Sequence, residues 1–440
     1  MAARTTRRQL LTYAAPALPL AMLGLPLLVI LPDFWAGAMR LDLATVGVVL
    51  TAVRIFDVVI DPMVGRLSDL SRSRFGRRKP FMALAMPVAA VGAIGLFFPP
   101  AGAGALWLFV FYALVTWGWT ALSLPYWAWG AELSDDYAER QRITSLREGG
   151  TILGILISAL APVLLGITSH VGQAHLLALL TIGLAGPAVA LALVAVPDPR
   201  PVKQAMRPAG LGAALRLIGG NAPFRRLILA WAVNGLANGL PAALILIVFD
   251  KVLHAPDASG PILLVYFAAG VISVPLWLAL SVWAGKHLAW MLAMAVSGLA
   301  FAFVPSILHT AHPLVWFGVI SLFTGAGLGA DFTIPPAIQA DVVDVDELAS
   351  GEQRAGLYFA AATMAQKAGN ALAPGIAFPL LGLAGFSTHG QNGTMQVMVL
   401  LVLYCGVPAA LKIAAAAIMR RFPIDRAAQE QLRAAIAVRA

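Results

Sequence analysis

Charged residues are scarce in this chain of 440 residues: Asp, Glu, Lys and Arg together make up 12% of it, whereas 60% is hydrophobic. Soluble domains contain about 25% charged residues and about 45–50% apolar residues. The composition therefore excludes a water-soluble enzyme and a disordered chain. Cysteine is scarcer still, because Cys405 is the one copy, and this excludes a scaffold of internal disulfides.

Long apolar runs take the place of the missing charge. A helix needs about 20 apolar residues to span a bilayer, and twelve runs of this kind follow one another along the chain. The runs are continuous rather than alternating, which favours helices over a membrane barrel. The sequence therefore predicts an all-α membrane protein with twelve spans, at about 10–31, 43–64, 80–99, 105–131, 143–168, 175–196, 224–249, 261–284, 288–308, 313–340, 357–381 and 395–419.

The basic residues predict the orientation of these spans. The formal net charge is +9, from 30 Lys and Arg against 21 Asp and Glu. With the N-terminus inside, 26 of the 30 lie in cytoplasmic segments, Lys286 and Lys412 among them, and only Arg40 and Lys251 lie in outer loops. Cytoplasmic loops carry an excess of Lys and Arg. We therefore expect both termini in the cytoplasm, and the basic charge reflects topology rather than nucleic-acid binding.

A proline-rich loop at 197–223 divides the runs into two sets of six. The segment Ala131–Asp135, which follows Pro125, resembles Ala340–Asp344, which follows Pro336. Two halves in parallel repeat are the architecture of major facilitator transporters, whose substrate site lies at the bilayer midplane between the halves. We expect a first six-helix bundle at 1–198, a central cytoplasmic loop at 199–222, a second bundle at 223–420 and a basic cytoplasmic tail at 421–440.

Two carboxylates lie in the second run, at Asp57 and Asp61. Their i,i+4 spacing places both on one face of a helix. A carboxylate in lipid is costly and points to function by default, and two adjacent carboxylates repel each other unless a cation or a shared proton intervenes. Oxygen ligands suit a hard cation, so we expect Na⁺ or H⁺ here. A structural ion pair with Arg54 is the alternative.

The fourth run adds aromatic rings and hydroxyls. Aromatic rings suit stacking on sugars or other flat apolar faces, so the tryptophans of this run, at 117, 119, 127 and 129, could contact a substrate. An aromatic belt at the membrane interface is the alternative. Thr120 and Ser123 supply hydroxyl oxygens near the depth of the acid pair, and they are candidate cation ligands.

The second half of the chain has its own polar residues within apolar runs. Lys367 lies about 15 Å into its run at 1.5 Å per residue, and a lone ammonium there needs an acid partner or an anionic ligand. Asp331 is the candidate static partner, and we also count it among the candidate substrate residues. Asn234 and Asn238 either line the same cavity or bond neighbouring helices.

The charged loops suggest a gate. Salt bridges between loops that close in one state are the functional interpretation, and simple anchoring by positive charge on the inside is the alternative. The candidate gate residues are Asp69, Arg74, Arg77, Arg78, Asp135 and Arg142.

The motifs resemble those of the glycoside–pentoside–hexuronide:cation symporters along the whole chain. They are Arg-x-x-Asp-x-x-x-Asp-Pro at 54–62, Ser68-Asp69 with Arg-x-Gly-Arg-Arg-x-Pro at 74–80, Pro-Tyr-x-Ala at 125–128 with Glu132-Leu133 and Asp136-Tyr137, and Asp-x-x-Asp at 341–344. The resemblance implies a major facilitator fold and coupling to Na⁺ or H⁺. It further implies that Asp57, Asp61 and Thr120 are cation ligands, that Trp119, Trp127 and Arg147 face the substrate, and that Lys367 is the family's central lysine.

The sequence departs from the family's sugar carriers in two places. Those carriers have sugar-binding acids in the first and fourth helices, whereas the region Tyr13–Ala21 contains no acid and the helix-four position is Ser123. Unpaired polar groups are costly to bury, so a melibiose-like disaccharide fits less well. Arg147 and Lys367 suit an anionic group. An amphiphile such as a lysophospholipid is therefore the alternative to a glycoside or sugar-like solute.

We therefore expect a cation-coupled secondary symporter in a bacterial inner membrane, working as a monomer with a small-molecule substrate, a coupling cation and the lipid bilayer as partners. No cofactor is expected beyond the coupling ion, and no nucleic acid. An intramembrane prenyltransferase, with Asp57/Asp61 and Asp341/Asp344/Asp346 as its Mg²⁺–diphosphate clusters, is a remote alternative. A sensor of transporter fold without coupling is another.

Overall fold

The structure is a computed structural model that describes residues 6–70, 73, 76, 78–133, 137–197, 220–350, 355–388 and 390–424; for some helical residues among them it describes the backbone alone. Within these ranges the regular structure is helical, with no strand. The helices are α1 (Arg7–Ala38), α2 (Leu43–Leu70), α3 (Lys79–Phe97), α4 (Ala105–Glu132), α5 (Tyr137–Leu164), α6 (His170–Ala195), α7 (Ala222–Lys251), α8 (Ser259–Ile272 and Val274–Ala284), α9 (Lys286–Ile307), α10 (Pro313–Ser350), α11 (Ala355–Leu383) and α12 (Thr394–Met419).

The all-α class is confirmed, and the apolar runs all fall on helices. Nine helices in the described part of the chain are long and apolar enough to cross a membrane, or ten when the two segments of α8, bent by 41°, count as one span. Large apolar side chains on these helices are exposed, among them Val194 at 86% and Trp283 at 82%, as expected of surfaces that contact lipid. The number of twelve spans stays a prediction.

Several helices extend beyond the runs that predicted them, and two of these extensions lie at charged segments. The stretch 65–69, expected as a cytoplasmic loop, is the last part of α2, and α10 continues past residue 340 to Ser350. The reason is that hydropathy marks where the bilayer ends, whereas a helix satisfies its own backbone hydrogen bonds and continues into water.

The first helix is irregular along its length. Within α1, the α-helical turns alternate with π-helical segments at Pro26–Ile30 and Phe34–Ala38. Each proline in a helix removes one backbone hydrogen bond and crowds the preceding turn, and α1 contains Pro16, Pro19, Pro26 and Pro32. π-Turns of this kind are frequent at functional sites.

The chain forms two compact units. The first comprises Met1–Met206 with Phe378–Gly382 and Ser387–Gly390, and the second comprises Arg207–Ala377, Leu383–Phe386 and Gln391–Ala440. The predicted boundary at 199–222 falls largely outside the described residues, as does the predicted tail at 421–440 beyond residue 424. The division into four segments therefore stays a prediction.

Reciprocal hydrogen bonds join α1 to α4 in the first unit. The Tyr13 hydroxyl donates to the carbonyl of Tyr126 at 3.1 Å, and the Tyr126 hydroxyl donates to the carbonyl of Tyr13 at 2.7 Å. Gly130 makes the approach possible, because a Cβ atom there would overlap the Tyr13 hydroxyl. The contact fixes α4, which supplies the hydroxyls of the site described next, against α1.

Candidate functional site

Two helices of the first unit bring three oxygen-bearing side chains together. The Oγ1 atom of Thr120 on α4 lies 3.1 Å from Oδ1 of Asp57 and 2.9 Å from Oδ1 of Asp61 on α2. Asp57 is 3% exposed and Thr120 is fully buried. We call these three residues the acid cluster. A hydroxyl has one proton and therefore donates to one carboxylate at a time. This geometry holds two carboxylates close together, of which Asp57 is buried and Asp61 is half-buried.

Ser123 lies one helical turn after Thr120 on α4. Its side chain is 1% exposed, and its Oγ atom has no hydrogen-bond partner among the described residues. A buried hydroxyl without a partner is costly. Residues three apart lie on neighbouring positions of one helix face, so Ser123 remains a candidate fourth oxygen for the predicted cation site.

Arg54, the alternative partner for the acid pair, lies over an aromatic ring. Its guanidinium carbon is 5.9 Å from the centroid of the Tyr112 ring on α4. A guanidinium over the face of an aromatic ring is attracted by the ring quadrupole. The contact places Arg54 against α4, and the ion pair between Arg54 and the acid pair stays the alternative interpretation.

The two candidate aromatic residues form a pair on α4. The rings of Trp119 and Trp127 are 5.9 Å apart with their planes at 84°, an edge-to-face contact. Nε1 of Trp119 donates to the carbonyl of Leu20 on α1 at 3.4 Å, and Trp127 is 38% exposed. Trp119 therefore belongs to the α1–α4 contact, whereas Trp127 presents ring surface.

Arg147 is held at the start of the apolar part of α5. Its side chain is 18% exposed and forms a salt bridge of 2.7 Å with Glu148. It also interacts with the hydroxyl of Tyr13. The structure thus gives Arg147 an acid partner next to it in sequence, which the sequence analysis did not assign.

The second unit contains a different polar cluster around Asp331 of α10. Its Oδ1 atom accepts a hydrogen bond from Nε1 of Trp290 at 2.7 Å, and its Oδ2 atom accepts one from Nδ2 of Asn238 at 2.8 Å. Oδ2 also lies 3.8 Å from Nζ of Lys412, and this ammonium donates to Oδ1 of Asn234 at 2.9 Å. We call these five residues the Asp331 cluster.

Lys412 corrects one expectation. It was expected in a cytoplasmic segment, but it lies within α12 and is 3% exposed. It also lies beside Asp331, the candidate partner of Lys367. The physical reason is that a buried ammonium requires a counter-charge, and Lys412 finds it on α10. The side chain of Lys367 lies outside the described residues, so its role stays a prediction.

Asn234 and Asn238 bond neighbouring helices, the second of their two interpretations. From α7 they reach α12 and α10, through Lys412 and Asp331 respectively. Nδ2 of Asn234 has no hydrogen-bond partner among the described residues. Sequence reasoning missed Lys412 as a member of this cluster, although a single Lys inside an apolar run of 26 residues was a usable signal.

Asp341, one acid of the second predicted diphosphate cluster, has a basic partner. Nζ of Lys286, at the start of α9, donates to both carboxylate oxygens of Asp341 at 2.8 and 2.7 Å and to the carbonyl of Ala337 at 3.2 Å. The side chain of Asp344 lies outside the described residues. Among the residues that the structure does describe, no three His, Cys, Asp or Glu side chains form a group suited to a metal ion.

The predicted gate is described only in part. Arg78 is 5% exposed, and its Nη1 atom donates to the hydroxyl of Ser68 at 2.8 Å, which ties the start of α3 to the end of α2. Arg142 is exposed on α5. Arg74, Arg77, Asp135 and the side chain of Asp69 lie outside the described residues, so the gate stays a prediction.

Comparison with known proteins gives a consistent picture. The family model of the MFS/sugar transport proteins matches residues 12–426. The chain is 24% identical over 457 residues to sodium-dependent lysophosphatidylcholine symporter 1 of Gallus gallus, a match that covers 94% of this chain and 86% of the relative. It is 23% identical over 401 residues to the inner membrane symporter YicJ of Escherichia coli, with 88% and 85% covered.

Its fold is similar to that of solved transporters. The crystal structure of a D-xylose-proton symporter matches with a TM-score of 0.69 at 13% identity, covering 95% of this chain and 97% of the other. At this identity the likeness concerns the fold, and it agrees with the major facilitator architecture that the internal repeat predicted.

Proposed function

The chain belongs to the MFS/sugar transport protein family, and from this premise we propose that it is a secondary symporter that couples a cation gradient to the movement of a small organic solute by alternating access. The resemblance to the glycoside–pentoside–hexuronide:cation symporters is confirmed. The protein is an integral, multi-pass membrane transporter and not an enzyme, so the prenyltransferase alternative is withdrawn.

The acid cluster carries the proposal for the ion. Asp57, Asp61 and Thr120 bring three oxygens together, and two carboxylates held this close repel each other and favour the binding of a positive charge. Oxygen ligands of this kind suit a hard cation. We assign the coupling ion to this cluster, with Ser123 as a further oxygen.

The ion is Na⁺ or H⁺. Na⁺ is favoured by the sodium-dependent relative from Gallus gallus and by the number of oxygens. A proton shared between the two carboxylates relieves the same repulsion. Ion binding at α2 and α4 also orders Trp119, the residue before Thr120, and we propose that ion and substrate thereby favour each other's binding, as reciprocal coupling requires.

Two solute classes have support. A glycoside or sugar-like solute is supported by the family and by the exposed ring of Trp127, because sugars stack on aromatic faces. An amphiphile such as a lysophospholipid is supported by the named function of the Gallus gallus relative and by the absence of an acid from Tyr13–Ala21 of the first helix. For either class, the candidate substrate residues are Arg147, Lys367, Asn234 and Asp331. Arg147 and Lys367 would bind an anionic group of the solute.

A binding screen separates the two classes. Purified protein is titrated with glycosides, hexuronides and lysophospholipids, each with Na⁺ and with choline in its place, and at two pH values. We expect one class to raise the thermal unfolding temperature, and the ion to lower the concentration of solute needed for this. Stabilisation by every class equally, with no influence of Na⁺ or pH, would contradict the proposed symport.

The membrane, the location of the termini and the oligomeric state are also part of this proposal. A bacterial inner membrane is supported by the likeness to YicJ. The excess of Lys and Arg in one set of loops supports cytoplasmic termini. We further propose that the monomer is the transporting unit.

A further inference from the structure

A cavity of about 390 Å³ lies in the first unit between the beginnings of α1 and α5. The six residues that line it are basic, hydroxylated or apolar: Arg7, Leu10, Leu11, Arg142, Ser145 and Leu146. This volume is within the range of small-molecule sites. Neither the acid cluster nor the Asp331 cluster contributes to it.

The lining residues have the same spacing on α1 and on α5. Residues i, i+3 and i+4 form one face of a helix, and α1 places Arg7, Leu10 and Leu11 on such a face. The start of α1 is fixed by a reciprocal cap, in which Thr6 and Gln9 each accept a backbone N–H of the other. The guanidinium of Arg7 therefore stands at the helix end, and the leucines lie one turn further along.

The α5 face repeats the arrangement with Arg142, Ser145 and Leu146. Arg142 and Ser145 are exposed, and Leu146 is half-buried. Leu10 is 2% exposed whereas Leu11 is 54% exposed, so the apolar end of the cavity is open toward the surface of the bundle. The cavity thus has two cations at one level, and the hydroxyl and the leucines lie about one turn further along the helices.

A phospholipid has the same order of chemistry from the membrane surface inward. Guanidinium groups bind phosphate oxygens with charge-assisted, often bidentate hydrogen bonds, and basic pockets between membrane helices bind phosphate headgroups. The acyl chain begins just below the phosphate. We propose that this basic cavity binds an anionic glycerophospholipid of the surrounding leaflet, with its phosphate on Arg7 and Arg142 and its first acyl carbons on Leu10, Leu11 and Leu146.

Lipid binding at this cavity needs a helix bundle embedded in a membrane, and it is independent of the solute that is transported. Binding in the cavity is distinct from the general attraction of basic residues to an anionic membrane surface. Arg8 contributes to that general attraction as much as Arg7 does. Arg8 is the next residue on α1, it is exposed, and it does not line the cavity. Arg8→Gln therefore removes the same charge at nearly the same place and serves as the matched control.

Phosphatidylglycerol is titrated into the full-length protein in a neutral detergent, and the thermal unfolding temperature is followed together with bound lipid by native mass spectrometry. We expect a saturable rise and one retained phosphatidylglycerol. Arg7→Gln and Arg142→Gln should each raise the half-saturating concentration about tenfold, and Arg8→Gln less than about threefold. Equal effects of all three variants would overturn the proposal.

Two further ligands distinguish the sources of the phosphate. Inorganic phosphate lacks the acyl chain, so we expect no stabilisation in the range where phosphatidylglycerol saturates; equal binding of both would overturn the lipid assignment. Lysophosphatidylcholine is expected not to displace the retained phosphatidylglycerol. Displacement at equal concentration would show instead that the cavity takes a transported amphiphile.

Discussion

Each of the two units contains a carboxylate site, and the described contacts of the two sites differ in kind. In the first unit, Asp57 and Asp61 converge on the neutral hydroxyl of Thr120. In the second, Asp331 accepts hydrogen bonds from an indole and an amide and lies beside the ammonium of Lys412. The first site brings two acids to one hydroxyl, and the second brings one acid to a positive side chain.

We therefore assign different roles to the two sites: the acid cluster binds the coupling ion, and the Asp331 cluster stabilises the second unit. A buried ion pair with satisfied hydrogen bonds needs no external ion, and removing one partner leaves an uncompensated charge. Two carboxylates that share a hydroxyl repel each other, and a bound cation reduces this repulsion. The acid cluster is therefore expected to respond to ions, and the Asp331 cluster to hold α7, α9, α10 and α12 together.

The largest effect is expected at the acid cluster. Asp57→Asn or Asp61→Asn removes one of the two negative charges, and ion-driven accumulation of solute in proteoliposomes should fall more than about 100-fold, because the differential affinity for the ion supplies the coupling. Asp250→Asn, the same change at a side chain that is 46% exposed, is the control. Undiminished gradient-driven uptake in the acid-cluster variants would refute the ion assignment.

The next effect is on stability in the second unit. Lys412→Met leaves Asp331 buried without its ammonium, and breaking such a pair costs about 3–5 kcal/mol. Lys286→Met also strands a carboxylate, that of Asp341, which is 7% exposed, but water reaches this pair at Lys286, which is 27% exposed, so the cost should be smaller, about 1–3 kcal/mol. In detergent, the thermal unfolding temperature of Lys412→Met should therefore be lower than that of Lys286→Met. The reverse order would show that the Asp331 cluster is not what holds the second unit together.

A smaller effect is expected from the shared hydroxyl. Thr120→Val keeps the shape of the side chain and removes its oxygen, so the half-saturating concentration of the coupling ion should rise about tenfold, the equivalent of one polar interaction of about 1.4 kcal/mol. Thr120→Ser keeps the oxygen and should restore most of the affinity. Ion binding by the valine variant equal to that of the native protein would remove Thr120 from the site.

The smallest effect tests Ser123. Ser123→Ala removes a buried hydroxyl that lacks a hydrogen-bond partner among the described residues, and we expect ion affinity to weaken about threefold. Ser158→Ala is the matched control, since this buried hydroxyl already donates to the carbonyl of Met22 at 3.1 Å. If both variants bind the ion alike, Ser123 does not contribute an oxygen.

The acid pair was predictable because its signal is local. An i,i+4 spacing fixes a shared helix face from sequence alone, and a carboxylate in an apolar run is conspicuous. That Thr120 on α4 reaches both acids could be expected only by counting depth along two runs, and the family resemblance added weight to it.

The Asp331 cluster was missed in part because its contacts are distant in sequence. Lys412 lies 81 residues from Asp331 and 178 from Asn234, so no spacing rule connects them. Counting basic residues for topology also treated Lys412 as cytoplasmic. Lys412 lies two turns inside an apolar run, so the sequence predicts an acid partner for it as it does for Lys367, since a buried ammonium requires a counter-charge.

The most direct test of the central claim is a Na⁺ titration of the purified protein followed by tryptophan fluorescence. Trp119 precedes Thr120 on α4 and contacts Trp127, so an ion at the acid cluster should change the emission. The native protein and Asp250→Asn should show the same saturable change with NaCl and none with choline chloride, or, for proton coupling, a saturable change with pH; Asp57→Asn and Asp61→Asn should show neither. An identical response from all four proteins would contradict the assignment of the coupling ion to Asp57 and Asp61.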